Sequence, residues 1–477
     1  MPDIPSKDLP DVASAYPPEH LHVLIRPYRS PDTCISAFMQ ADYAAGFLSD
    51  GGALGRWTWL CGDVSPTGTL AFDDPRNPAP LLRETIGGVL RDTVISGDMQ
   101  TPLPPFTGGL IGMAAFELGL RLEDLPRRPF HLASDRPWPE LTLMRIDSLA
   151  AFDLHQQQLI LLGRGGTPDE ARDRAVALAA RLDNLPPDPP SPKPDAPLLS
   201  ETPDDVFEAR VAQLVTRIHA GELFQANLSR GWRAQLPEDV TPAHLLKALL
   251  RTGPSPFGAF LRWEDRIIVS NSPERFISLS NDGHLETRPI KGTRPRGRTA
   301  QDDAALAAEL LASPKDRAEN LMIVDLMRHD LSKVAQIGSV RVQSLHALES
   351  YPNVHHLVST VTARLRENLT PADVMLATFP PGSISGAPKV QAMKVINDLE
   401  DTARGPYCGS LFWVDPSGAM DSSVLIRTAA CEPDAEGLWS LRICAGGGIV
   451  ADSDPGDERR ETETKLSLFR AVLNTKR

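Results

Sequence analysis

Lys291 stands between Ile290 and Gly292 in a short segment, Thr287 to Gly297, that also holds Arg288, Arg294 and Arg296. Repulsion from neighbouring cations, together with burial, lowers the proton affinity of such an amine. A lysine that gives up its proton near neutral pH is a nucleophile. Pro289 and Pro295 disfavour helix, so the segment is expected to run extended. Gly292 puts no side chain beside the amine and leaves it open to a reactant. Upstream, Glu274 is separated from Lys291 by a connection whose Asn281-Asp282-Gly283 is a turn signal; a hairpin would bring a carboxylic acid beside the amine. The same residues would also fit a basic edge strand with a solvated lysine.

Two predicted helices carry acidic stripes. Asp316 and Glu319 are three residues apart, and Glu458, Glu461 and Lys465 fall at i, i+3 and i+7, each set on one face. Carboxylates converging from two helices make an all-oxygen site suited to Mg2+, which keeps waters and takes further oxygens from an anionic substrate. Solvated helix faces have the same pattern. Anion-binding features accompany them. Pro381 to Lys389 holds Gly382, Ser383 and Ser385 ahead of a helix, with Ser385 as its expected N-cap and Pro388 in its first turn. Ala445 to Val450 is an amide-rich turn that includes Gly446. Arg427 ends a predicted strand, where its fork could grip a carboxylate. His356 sits among apolar residues, as a core histidine also does.

Positioning these groups takes a large chain, and 477 residues suffice for two or three domains. A composition 41% hydrophobic and 23% charged is that of a globular protein with a sizeable core. The net charge of −13 argues against nucleic acid or an anionic membrane as partner, though not against a small anion in a local basic pocket. Five scattered cysteines, none spaced CxxC, argue against disulfides or zinc. With no signal-peptide pattern and no apolar run of about 20 residues, the expected location is cytoplasmic.

Residues 1–20 are expected to form a loose lead-in. Short apolar runs from His22 to Leu162 predict an antiparallel, hairpin-rich half, followed by a helix over Thr167 to Asp183. LPPDPPSPKPDAPLLSETP, with eight prolines in nineteen residues, interrupts the chain. The expected organisation is an N-terminal domain over 1–184, a linker over 185–204 and a catalytic domain over 205–477. In that last part, helices are predicted over 205–220, 302–313, 315–334, 371–378, 387–399 and 457–474. Strands at 223–229 and 265–270 and the Lys291 segment lie between them. The mixture, without a βαβ rhythm, predicts an α+β fold with large antiparallel sheets.

In order along the chain, PIKGTRPRG, AENLMIVDLMRHDL, HHLVST, FPPGSISGAPK, RGPYCGS, IRT and GGGIVADSDPGDERRETETK resemble the chorismate-utilising enzymes. That family includes component I of anthranilate synthase and of aminodeoxychorismate synthase, isochorismate synthase and salicylate synthase. The likeness runs through almost all of 205–470. PPFTGGLIGMAAFELG carries a looser likeness to the N-terminal domain of the two ammonia-using members. The resemblance implies two large antiparallel sheets packed face to face, with helices outside.

Within the family, anthranilate synthases look like PIAGT where this chain has PIKGT, as bacterial aminodeoxychorismate synthases do. The resemblance therefore implies that Lys291 attacks C2 of chorismate, that Glu274 protonates the departing C4 hydroxyl, and that ammonia then displaces the lysine. It implies direct Mg2+ ligands in Glu319 and Glu461, and contacts through water from Asp316 and Glu458. Arg427, Tyr407, Thr293, Gly446 and Lys465 would hold the substrate carboxylates, with Ser383 in the anion-binding turn and His356 against the ring near C4. Gln225 occupies the place of the lysine base in members that add water, which favours ammonia. Asp316 departs from the glutamate of many relatives, and His329 and Ser332-Lys333 depart from Asn and Gly-Arg. No Gly-x-Cys-x-Gly elbow is present, so ammonia is expected from a separate glutamine amidotransferase subunit in a heterodimer. The alternatives are component I of anthranilate synthase and a non-catalytic regulatory homologue.

Overall fold

The computed structural model describes residues 17–99, 102–186, 191–351 and 354–473. Most of the expected lead-in, at 1–16, and part of the linker, at 187–190, lie outside the described residues. Two large sheets, of thirteen and ten strands, carry the architecture. The strand pairs are antiparallel except Glu19–Pro27 with Thr93–Gly97, a parallel pair at the edge of the larger sheet. A parallel neighbour needs a long crossover, and the chain between these two strands makes one by visiting the second sheet.

Leu141–Ile146, Ser148–Asp153 and Gln158–Gly165 are buried almost throughout. They are covered on both faces, which explains why their sequences are nearly continuous apolar runs. The helix Pro168–Asp183 supplies one cover for Gln158–Gly165. Thr167 caps it by accepting from the Glu170 amide, Pro168 opens it, and Ala171, Ala175, Leu178 and Leu182 form its buried stripe. The other cover is the second sheet. Leu21, Val23 and Ala45 meet Ile111, Met113, Met144 and Leu411 in one core between the sheets. Trp413 packs there against Phe106 at 5.2 Å and Trp59 at 6.1 Å between ring centroids. Such aromatic pairs add about 0.5–1.5 kcal/mol each beyond their burial.

The expected linker divides the sequence but not the sheets. Each half contributes a contiguous block of strands to both sheets, and the blocks join at one seam in each. Tyr43–Leu48 pairs with Phe257–Trp263 in the larger sheet, and Gly109–Ala114 with Ser410–Val414 in the smaller. An unpaired sheet edge leaves backbone groups unsatisfied, and each half closes the other's. Within the linker, Ala196 and Leu198 are buried and Leu199–Ser200 pairs with Gln225–Gln235. A cavity of about 700 Å3 lies at the seams, lined by residues such as Phe47, Leu48, Phe257, Gly258, Leu411 and Trp413. None of the candidate catalytic, substrate-binding or metal-ligating residues lines it.

Helices outside the sheets fall close to their expected spans: Asp204–His219, Ala300–Ala312, Pro314–Ser332, Pro371–Thr378 and Lys389–Leu399. The predicted 457–474 helix is two, Pro455–Lys465 and Ser467–Val472, broken at Leu466, which is buried in the core with Phe469. All five cysteines are buried and unpaired. No helix among the described residues is long and apolar enough to cross a membrane.

Candidate active site

Lys291 lies on the strand Ile290–Pro295, which pairs with Val354–Arg364. Ile290 faces Val358 and Thr293 faces His356, so Lys291 and Gly292 together oppose Leu357 in a bulge. A bulge re-aims side chains and is a common device beside reacting groups. Gly292 has φ +80°, and a Cβ there would meet Leu310 at 2.9 Å and Asp316 at 3.0 Å. Its lack of a side chain serves the close packing of the Asp316 helix on this strand.

The arginines expected to crowd the Lys291 amine are engaged elsewhere. Arg288 pairs with Glu349, Arg294 with Glu309 at 2.8 Å, and Arg296 with Asp303 at 2.7 Å. Carboxylates surround the amine instead: its charge is felt by Glu274, Glu319 and Glu461. Glu274 is 5% exposed, and burial pushes its carboxyl up to about 6. A Ser383 hydrogen bond, the Lys291 charge and the Ile290 amide pull the other way. The hairpin expected between Glu274 and Lys291 is present, with Arg275–Leu279 paired to His284–Thr287.

The carboxylates come from two helices. Pro314–Ser332, capped by Ser313 accepting from the Asp316 amide, carries Glu319; Pro455–Lys465, capped by Asp454, carries Glu458 and Glu461. Burial raises Glu319 and Glu458, and each also feels Glu461. Lys465 lowers Glu461, to which it is paired at 2.6 Å. Glu458 takes a hydrogen bond from Ser453 at 2.7 Å through one oxygen, while its other oxygen, Oε2, is buried with no partner. Asp316 is not gathered with these three; it turns to Arg294 at 3.2 Å. Among the described residues no group of three His, Cys, Asp or Glu is spaced to hold a metal ion as it stands. The donor set nevertheless fits a hard divalent cation: it is all oxygen, two of its three carboxylates are largely buried, and one carboxylate atom is orphaned.

Lys315, which sequence reasoning passed over, stands between two of these carboxylates. Its ammonium group lies 3.9 Å from Glu319 and 3.7 Å from Glu458. Its place four residues before Glu319 is the sequence signal for such a contact.

His356 and Arg427 form a second group. The Thr293 hydroxyl is 2.9 Å from His356 Nδ1. Burial, and then the Arg427 charge, push His356 down to about 3, so its ring is neutral. Arg427 has φ +49°, a strained conformation for a residue with a side chain. Burial lowers its proton affinity.

The strand Gln225–Gln235 runs beside Trp439–Ile449, with Asn227 opposite Gly448 and Ser229 opposite Gly446. A Cβ on Gly448 would fall 2.1 Å from Gln225 Nε2 and 3.2 Å from Lys291 Nζ, so the glycine opens the space these two side chains share. Gln225 is fully buried, yet both its side-chain polar atoms lack partners, as does Asn227 Oδ1. The Gly446 carbonyl accepts from Lys465 at 2.7 Å.

Tyr407 sits beside a buried ionic network. Arg404 grips Glu400 with two bonds of 2.7 and 2.8 Å, and Glu400 accepts from the Ser229 amide and hydroxyl. Glu117, from the first half, accepts the amides of Arg404 and Gly405. Tyr407 is held beside Arg404, whose guanidinium lies 5.9 Å from its ring centroid. Ser385 does not cap the helix that follows: its hydroxyl donates to the Pro381 carbonyl, and Pro388 is the N-cap residue.

The chorismate binding enzyme family model matches residues 71–471. The chain belongs to this family. Among its relatives, aminodeoxychorismate synthase component 1 of Salmonella typhimurium is 42% identical, over 76% of each chain. Anthranilate synthase component 1 of Mycobacterium tuberculosis is 36% identical, over 93% of this chain and 90% of the relative. The aminodeoxychorismate synthase of Streptomyces griseus is 39% identical over 78% of this chain, which spans about half the length of that relative. In fold, the chain is similar to the crystal structure of anthranilate synthase component I from Streptococcus pneumoniae, with TM-score 0.74, 27% identity, and 87% and 92% of the two chains covered. The family thus accounts for both sheets and for the helices that bring the carboxylates together.

Proposed function

We propose that this protein is an aminodeoxychorismate synthase component, which replaces the C4 hydroxyl of chorismate with an amino group to give 4-amino-4-deoxychorismate, the precursor of 4-aminobenzoate and folate. The observation that carries the reading is that Lys291, in its bulge, stands within electrostatic reach of the buried Glu274, which holds its proton up to about pH 6. The Lys291 amine attacks C2, the ring double bonds shift, and the C4–O bond breaks as Glu274 protonates the leaving hydroxyl. The adduct nitrogen returns a proton to the Glu274 carboxylate; ammonia then bonds to C4, the double bonds return, the C2–N bond breaks, and the proton shed by the incoming nitrogen passes to the departing lysine. Two moderate steps replace one hard substitution. Gln225, with unspent donor and acceptor, faces the shared space and suits the incoming ammonia. Arg427, Thr293, Tyr407, Gly446 and Lys465 would hold the carboxylates of the substrate, with Ser383 supporting Glu274 and the neutral His356 lying against the ring.

Glu319 and Glu461 would hold Mg2+, with Glu458 reaching it through water and Asp316 doing so on release from Arg294. When bound, the ion supplies positive charge against a substrate carboxylate. Ammonia is assigned to a separate glutamine amidotransferase subunit, in keeping with relatives named as component 1. Anthranilate synthesis is the second reading, favoured by the longer match to the Mycobacterium tuberculosis relative. Incubating the purified chain with chorismate, Mg2+ and ammonium at alkaline pH decides between them. A 4-amino product supports the proposal; anthranilate overturns it, and so does no product at all. Glutamine without added subunit is expected to give none.

A further inference from the structure

The side chain of Lys315 is 54% exposed, yet its ammonium group stands between Glu319 and Glu458, which are only 16% and 3% exposed. At 3.9 and 3.7 Å both contacts are longer than hydrogen bonds. Glu458 Oε2 remains without a partner despite the amine nearby. The lysine therefore adds positive charge to the group, beside that of Lys291 and Lys465, without satisfying it. Without such a cation, buried carboxylates that feel one another would repel. A long, half-exposed lysine can return to water easily, because its head group stays hydrated and its stem regains rotamer freedom.

We propose that Lys315 is an internal counter-ion, which steadies the Glu319–Glu458–Glu461 group when no divalent cation is bound and must be displaced when one arrives. The inference rests on reading that group as a cation site. A divalent ion brings twice the charge and can engage the orphaned Glu458 oxygen, but it must expel the ammonium first. Lys315 thereby sets the concentration at which the metal takes over. It is a positioning residue: it acts on the carboxylates and not on the substrate.

Calorimetric titration with Mg2+ alone, and melting of the metal-free protein, test this without any turnover. Lys315→Met should bind Mg2+ about tenfold more tightly than wild type, the scale expected when one opposing charge at about 4 Å is removed from a partly screened site. The same variant should melt at lower temperature in excess chelator, where Glu319 and Glu458 lose the ammonium between them and keep only the more distant charges of Lys291 and Lys465. Lys315→Arg keeps the charge and should restore the melting temperature. Glu461→Gln should weaken binding. If wild type binds Mg2+ and Lys315→Met binds no more tightly, the proposal is overturned while the cation site stands. If wild type binds no Mg2+, or Glu461→Gln binds as wild type does, the cation-site reading falls and the proposal with it.

Discussion

The guanidinium of Arg427 lies close enough to the His356 ring to help keep that ring neutral, while the guanidinium itself has no ion pair or hydrogen bond among the described residues. A partly buried, unpaired arginine in a strained conformation is costly to keep. A carboxylate on the ligand would relieve that cost. Arg427→Gln is expected to raise KM for chorismate about 10- to 100-fold, since charge-assisted hydrogen bonds contribute about 1.5–3 kcal/mol. Steady-state kinetics with direct binding measurements would show it. An unchanged KM would place the carboxylate elsewhere.

Glu274 links activity to pH and stability. Its folded-state value, about 6, lies above the ordinary glutamate value, so the fold favours the protonated acid. That contribution is complete below the unfolded value and is lost as pH rises through about 6. At pH 8 the ionised, buried carboxylate costs about 2 kcal/mol. Glu274→Gln removes the charge and keeps the shape. It is expected to be more stable than wild type at pH 8, by that amount, and equal to it near pH 4, with turnover lost at both. Denaturant midpoints at the two pH values measure the difference.

Gln225 makes the same kind of trade. Each buried polar atom left unpaired costs about 1–3 kcal/mol, and both of its side-chain polar atoms are unpaired. Gln225→Leu should raise the unfolding free energy by about 1–2 kcal/mol and depress amination. A variant that is less stable than wild type would show that Gln225 is satisfied within the fold.

Lys291→Ala carries the choice within the family. Most 4-amino product should disappear, and C2 should open to ammonia, so some 2-amino product is expected. Intact-protein mass spectrometry during turnover without ammonia should show a substrate adduct in wild type that the variant lacks. Wild-type rate and regiochemistry in the variant would leave Lys291 a binding residue only.

Local signals carried well into the structure where they were short in range. The Thr370 cap with Pro371 marks Pro371–Thr378, and Thr167 with Pro168 marks Pro168–Asp183. The same signature, Thr241 and Pro242 ahead of LLKALL with Gly253 after it, marks Pro242–Thr252, a helix missing from the expected set. Phe116–Leu122 is only seven residues long, too short for periodicity to declare it. What sequence could not show is long in range. The partners of Arg288, Arg294 and Arg296 lie up to about sixty residues away in the chain, so a cluster of cations that looked repulsive is dispersed into separate pairs. The proline-rich segment had the composition of a boundary, but strand pairing across it depends on sheet edges that no local pattern reveals. Glu319, Glu458 and Glu461 were visible as stripes; the amine between two of them was not, because a lysine four residues before a glutamate is an ordinary helix feature.

The two seams restrict how this chain can have been inherited. A first half borrowed from a relative would have to offer Leu48 to Gly258 and Ala114 to Ser410 in register at the same time. A slip of one residue at either seam would turn buried side chains outward. Piecewise exchange is therefore a poor route to new variants of this architecture. The half that holds Lys291 is bound to diverge together with a half that contributes no reacting group.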